Sequence, residues 1–253
     1  MVDIFDQVER NMNDLVIKQV YWSKCTTDEQ LQNARKGNLE LKLGFNKSIP
    51  KEWIKDIEGK DVLCLAGGGG LQAPLLACAG ANVTVIDISA MMLEKDRFIA
   101  QENNLNIRIE HGNMCDLSRF IDSSFDFVIN PASLFYVPDV MPVFRECYRV
   151  LREGGSLILA APNPIAYVCD FIEDENGGYY KAVNRMPYNS ISHTDQGNWV
   201  EFGHTMGNYI GGQISCGFII TGYIEEQMED ITELYFMTKA VKCARTACVN
   251  CSL

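Results

Sequence analysis

Apolar positions along the chain change their spacing near residue 55. Before that point they recur three and four residues apart, which predicts amphipathic helices. We expect these helices in the segments "IFDQVERNMNDLVIKQVYW", "TDEQLQNARKGN" and "IPKEWIKDI". From Asp61 onward, short apolar runs alternate with helical patterns, and this alternation indicates a parallel sheet with helices on both faces. The pattern therefore predicts an α/β domain that follows a helical N-terminal segment.

The α/β pattern predicts a regular series of strands and helices up to residue 162. The expected strands are Val62 to Leu65, Val83 to Ile86, "IRIEHGN", "FDFVINPAS" and "SLILAA". The expected helices are Leu71 to Ala79, a helix from the N-cap Ser89 to about Asn103, and "VMPVFRECYRVLREGG", which Gly154 and Gly155 should stop. Later in the chain, "FIITGYIEE" and "ELYFMTKAVK" are close enough in sequence to pair as antiparallel strands.

Residues 162 to about 202 interrupt this rhythm. The segment is rich in proline, glycine, asparagine and tyrosine, so we expect little regular structure in it. A long insertion in a compact domain is usually a lid or a binding segment. We therefore divide the chain into an N-terminal helical cap, residues 1–55, and a single domain, residues 56–253, with an inserted lid at about 162–202.

Four consecutive glycines, residues 67–70, stand between the first predicted strand and its helix. A glycine turn ahead of a helix presents unpaired N–H groups and the positive end of the helix dipole. Asp87 ends the second strand, where folds of this kind hold a ribose by its hydroxyls. The segment from Gly68 to Ala73 also satisfies the dinucleotide pattern G-x-G-x-x-A. An adenosine-containing cofactor is therefore expected, and a nicotinamide cofactor is compatible with these residues.

A series of motifs resembles those of the class I S-adenosylmethionine-dependent methyltransferases. In the first motif, "VLCLAGGGG", Cys64 stands where that family usually has an acid, and Ala66 where it usually has the first glycine. The later segments that carry the resemblance are "VTVIDIS", "EHGNMCDL", "SFDFVINPASLFYVPD", "ECYRVLREGGSLIL" and "GFIITGYIEE". Together they cover about residues 55–242, in the order that is usual for the family.

The resemblance implies a Rossmann-like, seven-stranded, mostly parallel sheet with helices on both faces and an antiparallel last strand. It implies S-adenosyl-L-methionine as the cofactor, with Asp87 on both ribose hydroxyls, Ile88 packed on the adenine, and Asn113 and Met114 at the adenine edge. The cofactor-binding residues that it predicts are Ala66, Gly67, Gly68, Gly70, Asp87, Ile88, Asn113, Met114 and Asn130.

The methyl acceptor should bind between the loop after the fourth strand, the N-terminal cap and the insertion. The predicted substrate-binding residues are Tyr21, Trp22, Ser133 and Phe135. Tyr136 and His204 are the predicted catalytic residues, with His204 as general base and Glu201 as a weaker candidate. Tyrosines and a tryptophan of the insertion either form an aromatic wall, which suits a planar or cationic acceptor, or face solvent: Tyr179, Tyr180, Tyr188 and Trp199.

Composition and charge limit the expected partners and location. The formal net charge of −11 disfavours a nucleic-acid partner, because phosphate binding relies on clustered Lys and Arg. No run approaches the ~20 apolar residues of a membrane helix, and the N-terminus does not resemble a signal peptide. We therefore predict a cytoplasmic protein with a small-molecule substrate and no nucleic-acid or membrane partner.

The chain has 10 cysteines, most of them within apolar runs. Cysteine in such a context packs as a small buried hydrophobe, so we expect free thiols in a reducing compartment. Near the C-terminus, Cys243, Cys248 and Cys251 have a spacing that admits a metal ion but lack a fourth ligand nearby. No metal site is predicted.

Several alternatives stay open at the level of sequence. Cys64 and Ala66 are compatible with an inactive scaffold that binds the cofactor or a partner, and an NAD-dependent oxidoreductase is a further alternative. The segment "INPAS" partly resembles the N-P-P-[YF] motif of enzymes that methylate nucleic-acid bases, but it lacks the second proline and the aromatic residue. His111 is expected to be structural or to lie beside the adenine. The sequence specifies neither the acceptor atom (O, N, S or C) nor the oligomeric state.

Overall fold

A computed structural model of the chain describes residues 3–19, 24–175, 177–194, 197–228 and 232–243. The α-helices in these ranges are α1 (Ile4–Ile17), α2 (Asp28–Arg35), α3 (Gln72–Cys78), α4 (Ala90–Glu102), α5 (Met141–Val150), α6 (Ile165–Val168) and α7 (Gly212–Ser215). Short 3₁₀ helices cover Lys51–Ile54 and Leu134–Tyr136, and a π-helical turn covers Gly207–Gly211.

The strands that form the main sheet are β1 (Asp61–Leu65), β2 (Asn82–Asp87), β3 (Ile107–His111), β4 (Phe125–Asn130), β5 (Leu151–Pro162), β10 (Phe218–Met228) and β11 (Thr232–Lys242). Four strands between β5 and β10 form separate hairpins: β6 (Cys169–Ile172), β7 (Tyr179–Ala182), β8 (Tyr188–Thr194) and β9 (Gly197–Gly203).

The main sheet has seven strands in the order β10-β11-β5-β4-β1-β2-β3. β1 pairs in parallel with β2 on one side and with β4 on the other, and Val62 lies opposite Val83 and Phe127. β11 runs antiparallel to both β5 and β10. The predicted Rossmann-like sheet with an antiparallel last strand is therefore confirmed. Because β1, β2, β4 and β5 are parallel, their carboxyl ends meet at one edge of the sheet.

Alternate side chains of the central strands enter two apolar cores on opposite faces of the sheet, as the period of a strand requires. Val62 and Cys64 of β1 belong to one core, and Leu63 and Leu65 belong to the other. The second core is covered by α5, whose buried residues are Val143, Phe144, Cys147 and Val150. Since both faces are covered, the central strands are apolar throughout.

The N-terminal segment from α2 to residue 54 packs on the face of the sheet that Val62 and Cys64 enter. Leu31 of α2, Leu41 and Trp53 are buried in the same core as Val62. The indole of Trp53 lies directly against Gly222 of β10, where an added Cβ would come within 2.5 Å of the ring. The boundary between a cap and a main domain at residue 55 stays a prediction, because residues on both sides of it share this core.

The helix that was expected to stop at Gly154 and Gly155 ends earlier, at Val150, so this prediction was wrong. Both glycines lie inside β5, beside a shift of register between Phe125 and Phe127 of β4. Gly154 has a φ of +79°, a left-handed conformation that is found in bulged strands and is unfavourable for most residues other than glycine. Arg152 fixes this bulge through ion pairs with Asp61 at 2.7 Å and Asp126 at 2.8 Å.

The insertion also has more regular structure than its composition indicated. β6 pairs with β7 and β8 pairs with β9, each antiparallel, so residues 162–202 contain two hairpins. Gly177 and Gly178, with φ values of +108° and +107°, lie in the turn between β6 and β7. The glycines that suggested an irregular segment therefore include turn residues of a hairpin.

We expect Gly222→Ala to destabilise the protein by about 1–3 kcal/mol, because the new Cβ would overlap a large and rigid indole ring. The measurement is the free energy of unfolding from chemical denaturation. Gly211→Ala is the matched control: it has helical φ and ψ, and a Cβ there would meet nothing within 4 Å. That control should be neutral or slightly stabilising, and equal losses in the two variants would contradict the packing described for Trp53.

Candidate active site

A cavity of about 980 Å³ opens at the carboxyl ends of β1, β2, β4 and β5. We call one part of it the cofactor half, lined by Ala66, Gly68, Asp87, Ile88, Met92 and Met114. We call the other part the acceptor half, lined by Phe45, Tyr136, Tyr167, Glu201 and Tyr235. Ser133 and Phe135 also line the cavity. The structure thus brings together many of the predicted cofactor and substrate residues.

The glycine turn, residues 66–70, lies at the floor of the cofactor half. Ala66 has a left-handed φ of +49°, which costs an L-residue roughly 1–2 kcal/mol and explains why glycine is usual at this position. Gly69 and Gly70 have φ values of +123° and +72°. At Gly68 a side chain is excluded for another reason: its Cβ would lie 2.9 Å from the Cβ of Asp87. The turn therefore requires glycine for both backbone conformation and close approach.

The carboxylate of Asp87 is tied to this turn and is buried. Its Oδ2 accepts a hydrogen bond from the Gly68 N–H at 2.9 Å, and its Oδ1 accepts one from the Ser89 N–H at 2.8 Å. Burial raises the pKa of Asp87, while these N–H groups act in the opposite direction. Each carboxylate oxygen can accept a further hydrogen bond, and the side chain lines the cavity. Two adjacent hydroxyls, such as those of a ribose, match this pair of acceptors.

The residues of the cofactor half fit S-adenosylmethionine. Asp87 offers two acceptors for the ribose, and Ile88, Met92 and Met114 supply apolar surface beside it for an adenine ring. The glycine turn keeps the cavity floor free of side chains where a ligand must approach the backbone. These residues of the chain would hold the cofactor.

Gly67 and Gly70, which were predicted to bind the cofactor, belong to the turn but do not line the cavity. Two predicted asparagines, Asn113 and Asn130, do not line the cavity either. Asn130 is buried, and its Nδ2 donates to the Leu65 carbonyl and to the Ser133 hydroxyl, both at 2.8 Å. Asn113 accepts a hydrogen bond through its side-chain Oδ1 from the Cys115 N–H at 2.9 Å, and this bond shapes the turn that contains Met114. Direct contact of either asparagine with the cofactor stays a prediction.

The acceptor half combines one carboxylate with aromatic side chains. Burial raises the pKa of Tyr136, Tyr167 and Tyr235, and the negative charge of Glu201 raises the pKa of each further. These phenols therefore stay protonated at neutral pH, where they can donate hydrogen bonds but cannot serve as bases. The ring of Phe45 packs edge-on against Tyr235, with ring centroids 4.9 Å apart. Glu40 and Glu201 both line the cavity, and Glu201 is the one whose charge acts on these three phenols.

Phe45 is held in place by a buried carboxylate from the far edge of the sheet. Glu226 of β10 accepts hydrogen bonds from three successive backbone N–H groups, those of Phe45 (2.9 Å), Asn46 and Lys47 (2.6 Å). A Cβ at Gly44 would overlap this carboxylate, so the glycine makes room for it. The loop contributes only backbone N–H groups to its hydrogen bonds with Glu226, so the identity of its side chains does not predict this contact. Three N–H donors compensate the burial of the charge.

The structure does not bring His204 to the cavity. Its side chain is buried, its Nε2 lies 2.9 Å from the Val137 carbonyl, and burial lowers its pKa. This geometry gives His204 a part in packing the loop that carries Tyr136. Its role as general base stays a prediction. His111 is exposed at the end of β3, with its Nε2 2.8 Å from the Ile88 carbonyl and 3.3 Å from Glu9.

Some of the aromatic residues predicted in the cap and the insertion lie outside the part of the chain that the structure describes. Tyr21 and Trp22 lie outside the described residues, and so do the side chains of Tyr188 and Trp199. Tyr179 and Tyr180 are 50% and 42% exposed and do not line the cavity. Aromatic residues that do line the cavity include Phe45, Tyr167 and Tyr235. They lie far apart in the sequence, so no local pattern indicates that they meet.

The remaining chemistry of the described chain is limited. The cysteines described there are free thiols: Cys25, Cys64, Cys78, Cys115, Cys147, Cys169, Cys216 and Cys243. In the described ranges, no three side chains of His, Cys, Asp or Glu cluster as metal ligands would. Cys248 and Cys251, which the tail motif needs, lie outside those ranges. Among the helices that the structure describes, none is both long and apolar enough to cross a bilayer.

Comparison with protein families finds a match over the part of the chain that contains the glycine turn and Asp87. Residues 63–159 match a family model described as a methyltransferase domain. A protein of Bacillus subtilis named "Uncharacterized methyltransferase YbaJ" is 38% identical over 234 residues, which cover 87% of this chain and 91% of that protein. The ubiquinone biosynthesis O-methyltransferase of Xanthomonas oryzae pv. oryzae is 33% identical over 108 residues, or 43% of this chain and 45% of that protein.

A solved structure shares the fold. The S-adenosylmethionine-dependent methyltransferase from Mesorhizobium loti superposes with a TM-score of 0.64 and 22% identity, and the match covers 76% of this chain and 94% of the other. At this identity the likeness shows a common fold and no more. It agrees with the strand order described above.

We expect Asp87→Ala to weaken S-adenosylmethionine binding by one to two orders of magnitude, because a hydrogen bond to a charged group is worth about 1.5–3 kcal/mol. Titration calorimetry with S-adenosylmethionine and S-adenosylhomocysteine measures this loss. Asp116→Ala is the matched control, since Asp116 also accepts a hydrogen bond from a backbone N–H, that of Ser118, but does not line the cavity. Unchanged affinity in Asp87→Ala would remove the ribose-binding role from that residue.

Proposed function

The chain belongs to the class I S-adenosylmethionine-dependent methyltransferases, and we propose that it methylates a small molecule held in the acceptor half of the cavity. The proposal rests on one observation: Glu201 lines the acceptor half together with Tyr136, Tyr167 and Tyr235, in the same cavity as Asp87. A carboxylate among aromatic side chains can bind a ring-shaped acceptor and take a proton from it.

We infer that the acceptor carries a phenol-type hydroxyl. Amines and thiols need little help to attack an electrophilic methyl group, whereas a hydroxyl needs a base. Glu201 is suited to be that base, since the neighbouring phenols keep their protons. The partial similarity to an enzyme named ubiquinone biosynthesis O-methyltransferase supports an oxygen acceptor, although that match covers 43% of this chain.

The proposed reaction is an in-line displacement. The bound cofactor supplies a methyl group made electrophilic by its sulfonium sulfur. Transfer of that methyl group to the acceptor oxygen would leave S-adenosylhomocysteine, with the electron pair of the broken carbon–sulfur bond on sulfur, and Glu201 would take the hydroxyl proton. Asp87 orients the cofactor by its ribose, and the rings of Phe45, Tyr136 and Tyr235 align the acceptor and exclude water.

A second candidate function is binding of the cofactor without catalysis. The observation that favours it is the altered first motif: Cys64 is a buried thiol whose pKa is raised by burial, so it carries no charge, and Ala66 is held in a left-handed conformation. Incubation with methyl-labelled S-adenosylmethionine and a panel of small phenols, alcohols, amines and thiols separates the two. S-adenosylhomocysteine formed with phenols supports the proposal, and tight cofactor binding without product from any acceptor supports the scaffold.

With an acceptor in hand, we expect Glu201→Gln to lower kcat about 100-fold or more and to leave cofactor affinity unchanged, because general-base catalysis typically contributes 10²–10⁴-fold. The measurements are single-turnover rates and cofactor calorimetry on the same preparation. Glu173→Gln, which changes an exposed acid of the same insertion, is the control. A kcat within a few-fold of the unsubstituted enzyme would exclude Glu201 as the base.

A further inference from the structure

Asp96 is a second carboxylate at the glycine turn, on the side away from the cavity. It lies in the middle of α4 and is 0% exposed. Its Oδ2 accepts a hydrogen bond from the Gly69 N–H at 2.8 Å, and the Gly70 N–H also contributes. Its Oδ1 is buried and has no hydrogen-bond partner among the described residues.

A buried carboxylate of this kind is costly for a protein. No ion pair with Asp96 occurs in the described part of the chain. Two backbone N–H groups compensate only part of the lost hydration, and an oxygen without a partner adds to the cost. A serine or asparagine could accept from the same N–H groups at lower cost, so hydrogen bonding alone does not explain why an acid is present.

Cys64 of β1, which feels the charge of Asp96, gives a reason for an acid at position 96. Cys64 occupies the place of the acid that is usual in the first motif, and its thiol is 0% exposed. Burial raises the pKa of Cys64, and the charge of Asp96 raises it further, so position 64 supplies no negative charge. Asp96 therefore provides a carboxylate beneath the turn where the end of β1 lacks one.

We propose that Asp96 is the positioning residue of the cofactor site: it aligns the N–H groups of Gly69 and Gly70 and supplies the negative charge that position 64 lacks. S-adenosylmethionine carries a positive sulfonium, which S-adenosylhomocysteine lacks. A negative charge at the turn that is expected to hold the ligand therefore favours the first of these two ligands. This role concerns cofactor binding and is independent of which acceptor is methylated.

The proposal has a consequence for pH. Burial raises the pKa of Asp96 to about 7. The titratable groups that face it are Asp87 at the end of β2, Cys64 in β1, and Cys25, which also feels the charge of Lys95. A bound cation favours the ionised form of Asp96 and so lowers its pKa in the complex. Affinity for S-adenosylmethionine should then rise with pH, by about fivefold between pH 6 and pH 8 if the pKa falls by one unit.

The experiment is calorimetric titration of the full chain with both ligands from pH 6 to pH 8, for the unsubstituted protein and for Asp96→Asn. At pH 8 we expect Asp96→Asn to bind S-adenosylmethionine about tenfold more weakly, with a smaller loss for S-adenosylhomocysteine. The pH dependence should also flatten. The amino group of the ligand titrates with both proteins, so the difference between their profiles belongs to Asp96.

Glu94→Gln is the matched control, because Glu94 lies two residues away in α4 but is exposed. It should leave both affinities and both pH profiles unchanged. Circular dichroism and the Tm without ligand establish that each variant is folded. If Asp96→Asn does not fold, the two ligands are compared on the unsubstituted protein, because both carry the same amino group and only S-adenosylmethionine carries the sulfonium; an equal change of affinity between pH 6 and pH 8 for the two ligands then overturns the proposal. Equal losses for the two ligands in Asp96→Asn overturn it as well.

Discussion

Hydrogen bonds from the glycine turn to two buried carboxylates are the constraint on which the cofactor site depends. Asp87 accepts from Gly68 on the cavity side, and Asp96 accepts from Gly69 on the opposite side. The turn is thereby held between the end of β2 and the middle of α4, and its backbone rather than any side chain forms the cavity floor. Glycine is required at position 68 because the side chain of Asp87 stands too close to the turn for a Cβ, and at positions 69 and 70 because φ is positive.

The acceptor half depends on a similar contact at another place. Glu226 collects three N–H groups of the loop that carries Phe45, and the ring of Phe45 then packs against Tyr235 of β11. The N-terminal loop and the antiparallel hairpin β10–β11 are thus joined at the cavity wall. In both halves the backbone donates and a buried acid accepts, so the negative groups of this acidic chain serve to fix loops as well as to carry charge.

The sheet and the cofactor half were predictable from the sequence, because their signals are local. Apolar runs mark the central strands, and the glycine turn and Asp87 lie within one short stretch of chain. The helix end at Val150 was missed because tertiary pairing of β5 begins before the glycines. His204 was favoured on side-chain chemistry alone, and burial against Val137 could not be anticipated. Asp96 did have a signal: it occupies the same face of α4 as the buried Met92, where an acid is unusual.

The two halves of the cavity also come largely from different parts of the chain. The segment that matches the methyltransferase model, residues 63–159, contains the glycine turn and Asp87. Of the acceptor half it contains Tyr136, whereas Phe45, Tyr167, Glu201 and Tyr235 lie outside it. Mutations can therefore accumulate around the acceptor without disturbing the machinery that holds the methyl donor. A duplicated gene of this architecture could acquire a new substrate while inheriting its donor chemistry intact, so relatives that share the donor segment are free to diverge in the compounds they modify.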